Sequence, residues 1–169
     1  MINKKLQQKI FKMASIDQNL RKQAINNIKN RKLARAVYNC DTKNILESKK
    51  IIKKHSWPTF DLVGKKASNA FWLLIQHADR DIKFQKKCLK LLENAVNNNQ
   101  ANPVNFAFLV DRILSAEGKK QRFGTQYIFK GNNLVLKPVS DRKNLNRRRL
   151  KFGLNITEEQ TKKNKQRIF

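Results

Sequence analysis

Tyr127-Ile128-Phe129-Lys130-Gly131-Asn132-Asn133-Leu134-Val135-Leu136 is where the hydrophobic period of this chain changes. Two short β-prone runs flank a tip carrying Gly-Asn, which predicts a hairpin over about 126–137. Before it, apolar residues recur at helical spacing. The fold class is therefore mainly α, a single helical domain with one late β-hairpin. Just upstream, Asn102-Pro103 predicts a helix start, a cap residue followed by proline in the first turn. Phe106, Leu109/Val110 and Ile113/Leu114 continue that helix until Gly118. Before it lies an Asn97–Gln100 loop. A preceding helix is capped by Asp79 or Asp81 and turns Ile82, Cys88/Leu89, Leu92 and Ala95/Val96 inward. Gly64 opens another, with Ala67, Ala70/Phe71, Leu74 and Ala78 on one stripe. Farther upstream, Trp57-Pro58-Thr59 ends a helix expected from a cap at about Asp41. Leu6, Ile10, Met13/Ala14, Leu20, Ala24 and Ile28 mark a long first helix over about 3–35. Asp17 is its only acid and stands one turn before Arg21.

Thus residues 1–169 divide into a basic helix over about 3–35, a helical core over about 41–118, and a hairpin with a basic segment over 119–169. Gly153 breaks that last segment, and Thr157-Glu158-Glu159 is expected to start a short closing helix. A chain of 169 residues is long enough to bury a substantial core. The longest apolar run, Ala70–Ile75, is too short to cross a bilayer. Met1–Lys5 is not followed by the apolar stretch of a secretory signal, and Cys40 and Cys88 suit a reducing compartment, so the expected location is cytoplasmic. Cys40, Cys88, His55 and His77 lack zinc-type spacing, so no metal site is expected. The sequence identifies no cofactor.

The formal net charge is +26. Residues 1–35 hold ten Lys and Arg against Asp17 alone, and residues 119–169 hold fifteen against Asp141, Glu158 and Glu159. A coding bias toward Lys and Asn would raise Glu as readily, yet Glu is scarce. Such a surface binds polyanions with strong salt dependence through counterion release. Lys119, Lys120, Arg122, Arg148 and Arg149 are the expected polyanion contacts.

Three polar clusters interrupt the apolar helices and their connections: Gln76-His77-Ala78-Asp79, Asp111-Arg112, and Gln121-Arg122-Phe123-Gly124-Thr125-Gln126. Charge inside a helix is costly unless it pairs or serves a site. Read together, the clusters form an acid–base site. His77 would move a proton, with Asp79 or Asp111 as its orienting carboxylate. Arg112, Arg147 or Arg21 would hold an anion. Gln76, Gln121 and Gln126 would read polar edges, with Asp17, Gly124 and Thr125 beside them. Taken singly, each has an ordinary structural reading. A histidine beside an apolar stripe is commonly a hydrogen-bonded core residue, and Gly124-Thr125 suits a turn.

The same residues carry a family resemblance. His55-Ser56-Trp57-Pro58-Thr59, Leu62-Val63-Gly64, Trp72-Leu73 with Gln76-His77-Ala78-Asp79, and Phe84-Gln85 resemble a bacterial family of unknown function, numbered six-six-two-four. Asp111-Arg112, Gln121, Gly124-Thr125-Gln126, Pro138, Asn144, Arg147-Arg148 and Gly153-Leu154 continue it, and Met13, Asp17-Gln18 and Arg21 are similar to its opening helix. It covers roughly residues 10–160. Phe123 stands where the family pattern has Tyr, and Val110 where it has Thr. The resemblance implies a shared polar site and no particular reaction.

Two functional classes follow. One is a small enzyme or ligand-binding domain acting on a phosphorylated or nucleotide-like molecule. The other is a non-enzymatic RNA- or ribosome-associated protein. The sequence interleaves no aromatic residues with the basic runs, so no base-stacking platform is expected. A third reading, a basic amphipathic helix on an anionic membrane, lacks a large aromatic on the apolar face apart from Phe11.

Overall fold

The structure is a computed structural model that describes residues 1–131 and 133–157. It is 67% helical, with a single two-stranded antiparallel hairpin late in the chain, as the sequence predicts. Packing divides the chain into two compact units, Met1–Ala101 and Asn102–Phe169.

The first unit opens with α1 (Lys4–Asn26) and α2 (Arg31–His55). Asn3 caps α1 by accepting from the Leu6 amide, and Asn30 caps α2 by accepting from Lys32 and Leu33. The expected single helix over 3–35 is therefore broken, and α2 begins ten residues before Asp41. The physical reason is the Asn26-Asn27-Ile28-Lys29-Asn30 stretch. Asn side chains offer the backbone local alternatives to the helical ladder, and Asn30 closes a tight link between antiparallel neighbours. Cross-links fix the antiparallel sense: Lys9 near the start of α1 pairs with Glu47 (2.6 Å), and Arg21 near its end pairs with Asp41. A groove of about 570 Å³ runs between the two helices. Met13, Ile16, Leu20 and Ala36 line it, with Lys12 and Lys43 also on its lining.

Ser56 caps α2 with φ +58°, and the chain turns through Trp57-Pro58 into the short α3 (Phe60–Val63). Gly64, at φ +81°, joins α3 to α4 (Lys65–Gln76) in a backbone region that disfavours side chains. Asp81 caps α5 (Ile82–Asn97) through the Phe84 amide at 2.9 Å. Ile10, Val63, Ala67, Phe71, Ile75, Cys88 and Leu92 are fully buried. Trp57 meets Phe71 edge-on at 5.4 Å between centroids.

In the second unit α6 (Pro103–Ala116) starts on the Asn102 cap, as expected. Strands β1 (Tyr127–Lys130) and β2 (Asn133–Leu136) pair Tyr127 with Leu136 and Lys130 with Asn133. Asn132, at the expected tip, lies outside the described residues. A 3-10 turn (Arg142–Asn144) leads into α7 (Leu145–Lys151). Phe152 stacks on Phe106 at 5.7 Å and meets Phe123 edge-on at 4.9 Å. The closing helix expected from Thr157-Glu158-Glu159 lies largely outside the described residues.

Candidate functional site

His77 follows the last residue of α4 as its C-cap, with φ −88° and ψ 1°. Its Nδ1 lies 2.8 Å from Asp17 Oδ2 on α1. Arg21, one turn further along α1, brings its Nε within 3.2 and 3.4 Å of the two Asp17 oxygens and 2.9 Å from His77 Nδ1. Its Nη2 donates to Asp41 of α2. Gln18 Nε2 donates to Asp17 Oδ2 at 2.8 Å. Three helices thus converge on one buried carboxylate, Asp17, which is 1% exposed.

Burial pushes the Asp17 carboxyl up. The hydrogen bond and charge of His77, the Gln18 amide and the Arg21 guanidinium together outweigh it and hold Asp17 below its ordinary value of 3.8. In the His77 tautomer with its proton on Nδ1, that nitrogen donates to Asp17. In the other tautomer Nδ1 accepts from the Arg21 Nε–H, which also reaches both carboxylate oxygens. Among the described residues no hydrogen bond reaches the other ring nitrogen, Nε2. Asp41 behaves oppositely: burial and the neighbouring Asp17 charge raise its carboxyl despite Arg21.

The carboxylate beside His77 is Asp17, expected only as a ligand contact. Asp79 is exposed, and its Oδ1 lies 3.3 Å from Gln85 Nε2. Gln85 is fully buried and also donates to the Ile75 carbonyl at 3.0 Å, fastening the end of α4 to α5. Gln76 is buried on the last turn of α4. One signal in the sequence pointed to Asp17. It falls on the stripe of Ile10 and Ala14, where a carboxylate must find partners.

In the second unit the other two clusters hold a loop in shape. Asp111, expected as a catalytic carboxylate, is fully buried, and both of its oxygens are engaged. They accept from the Arg122, Phe123 and Thr125 amides at 2.7, 3.0 and 2.9 Å, and from the Thr125 hydroxyl at 3.1 Å. Burial raises its carboxyl, against the pull of those backbone donors. Gln121 donates to the Gln126 and Lys137 carbonyls, both at 3.0 Å, and accepts from the Gln126 amide at 2.6 Å. Its amide group is fully occupied, so it reads no ligand here. Gln126 turns its own Nε2 onto the Thr125 hydroxyl at 3.1 Å. Gly124 takes φ +64° at the centre of this loop, which suits the turn reading.

The polyanion contacts also divide. Arg149 is corrected outright. It is fully buried and donates to the Phe123, Gly124 and Asn155 carbonyls at 2.6, 2.9 and 2.6 Å. Arg148 is half-buried and bonds the Arg122, Ser140 and Asp141 carbonyls and the Asp141 carboxylate. Lys119 pairs with Glu117 at 2.9 Å. Lys120, Arg122 and Arg147 are exposed, and Arg112 is half-buried. In the first unit, Glu47 is paired by Lys9 and Lys50, Asp81 by Lys49, and both Asp17 and Asp41 by Arg21. Lys12, Lys22, Arg31, Lys32 and Arg35 remain exposed.

Among the described residues no group of three or more His, Cys, Asp or Glu is placed to hold a metal ion, and no helix is long and apolar enough to cross a membrane. No curated protein and no solved structure matches the chain. A family model does match, over residues 4–166, so nearly the whole length here described lies within it. The chain belongs to the family described as "Family of unknown function (DUF6624)".

Proposed function

We propose that this chain binds a polyanion, RNA or a nucleotide, and that His77 is the acid–base group of its site, oriented by Asp17. The observation that supports the acid–base part of this reading is the His77 Nδ1–Asp17 contact of 2.8 Å, with no hydrogen bond to Nε2 among the described residues. With its proton on Nδ1, a histidine so held presents Nε2 as the base, and the adjacent carboxylate stabilises the imidazolium formed when Nε2 accepts a proton from a bound hydroxyl. The exposed cations of α1 and α2 supply the attraction for phosphate.

A second reading, non-enzymatic RNA association, is favoured by a separate observation: Asp111 and Gln121 are wholly engaged in holding their loop. That leaves one histidine where the sequence suggested a larger constellation.

The two readings are separated by incubating the protein with RNA and with nucleotides at low salt, comparing wild type and His77→Gln. Turnover lost in His77→Gln with salt-sensitive binding retained supports the acid–base reading. Binding without turnover in wild type leaves the non-enzymatic one, and no binding at low salt sinks both.

A further inference from the structure

Arg80 stacks on Tyr38. Its guanidinium carbon lies 3.6 Å from the ring centroid, a distance that only face-on approach allows. The guanidinium is held in place by donating from Nη2 to the Tyr38 carbonyl at 2.7 Å and the Thr42 hydroxyl at 2.8 Å. A surface arginine usually samples many rotamers, and this one is held over an aromatic ring. Tyr38 nevertheless stays 57% exposed, and Arg80 is exposed as well. The pair borders a cleft of about 280 Å³ lined also by Thr42, Ile45, Leu46 and Asp81. Asp81 is paired by Lys49 at 2.6 Å, so the cleft does not present an uncompensated negative charge there.

The approach to this pair is cationic. Arg31, Arg35, Tyr38 and Thr42 recur at helical spacing on α2, so they share one face, and all four are exposed. Asp41, on the next residue, is paired to Arg21 of the His77 network. Cations spaced for phosphates therefore lead along one helix to a flat, rigid π-surface and then to the neighbourhood of His77.

We propose that Tyr38 and Arg80 form a stacking platform for an unpaired nucleobase, and hence that the polyanion is single-stranded RNA or a free nucleotide rather than a duplex. This rests on the polyanion reading above and narrows it. In a duplex the base faces are covered by their neighbours and the phosphates alone are open. In a single strand a base splays onto an aromatic or guanidinium plane while its phosphates follow the basic stripe. The sequence hid this platform because Tyr38 and Arg80 are 42 residues apart, and neither sits inside a basic run.

The test measures anisotropy binding of single-stranded poly-uridine and of a poly-adenosine–poly-uridine duplex across a salt series. The proteins are wild type, Tyr38→Ala, Tyr38→Phe and Arg80→Lys, with thermal unfolding as the check on folding. Tyr38→Ala is expected to weaken poly-uridine binding by about 5- to 150-fold, the loss of one stacked base. Its salt slope should be unchanged, and duplex binding should barely move. Tyr38→Phe, which keeps the ring under Arg80, should bind like wild type. Arg80→Lys keeps the charge and should behave like Tyr38→Ala. If Tyr38→Ala leaves poly-uridine binding intact, or weakens strand and duplex alike, the platform is overturned while the polyanion reading stands. If wild type binds neither polymer at low salt, both fall together.

Discussion

Asp17 is the residue on which the first unit's polar network turns. One buried carboxylate there answers a histidine, an arginine and a glutamine side chain. Removing the carboxylate's charge takes the buried acceptor from the part-buried His77 and Arg21, so Asp17→Asn should cost about 2 kcal/mol at neutral pH. The pH dependence follows from the direction of its shift. The folded-state carboxyl lies below its ordinary value of 3.8, so its stabilisation is complete above that value and is lost as pH falls below it. Denaturant unfolding of wild type and Asp17→Asn should therefore show a large gap at pH 7 that closes below about pH 3.8. A gap that persists in acid would mean that the carboxylate's charge is not what stabilises the fold. Asp41 shifts upward instead, so its ionised form is disfavoured in the fold, and Asp41→Asn should cost less than Asp17→Asn. The Asp17–Arg21 pair, one turn apart on one helix, was legible along the chain, and the Asp17–His77 pair was not. Asp17 and His77 are 60 residues apart, and only the position of Asp17 on an apolar stripe hinted that it was buried.

At the scale of elements, local chemistry was readable and distant geometry was not. The Asn102-Pro103 start and the hairpin were legible because caps, proline and glycine act within a few residues. The break at 27–30 was missed because Leu20, Ala24 and Ile28 carry the helical period straight through it, and only the capping geometry of Asn30 shows the interruption. From the sequence, Arg147 is expected to hold an anion and Arg148 and Arg149 to contact a polyanion. On α7, however, Leu145 and Arg149 are one turn apart and share the buried face, so the helix takes the last arginine inward and leaves Arg147 out. Loss of Arg149 should therefore act on the loop rather than on ligand binding. Arg149→Ala strands the carbonyls of Phe123, Gly124 and Asn155, and should destabilise by about 3 kcal/mol. It should also speed hydrogen exchange at the Phe123 and Thr125 amides. Arg147→Ala should stay within about 0.5 kcal/mol of wild type. Unchanged exchange in Arg149→Ala would show that Asp111 alone holds the loop.

Over the whole molecule, the net charge of +26 needs weighing against what the fold has done with it. Two cations expected to face a polyanion, Arg148 and Arg149, are instead hydrogen-bonded to carbonyls in the second unit. The exposed surplus on α1 and α2 carries the weight of the polyanion reading. The same two helices also show solvent a set of large apolar side chains. Ile25 is 71% exposed and Leu46 55%, and Ile28, in the link between the helices, is 87% exposed. Exposed apolar surface of this kind favours self-association, and like charge on every copy opposes it. Added salt shortens the reach of that repulsion to about 8 Å at 0.15 M and about 3 Å at 1 M. Sedimentation should therefore find monomers at low ionic strength and larger species as salt rises, and a constant size at high salt would sink that expectation. A bound polyanion cancels the same charge without any salt. On the polyanion reading proposed above, loading the protein with nucleic acid would also bring its copies together, so that occupancy and clustering would rise in step and its colloidal state would report how much ligand is present.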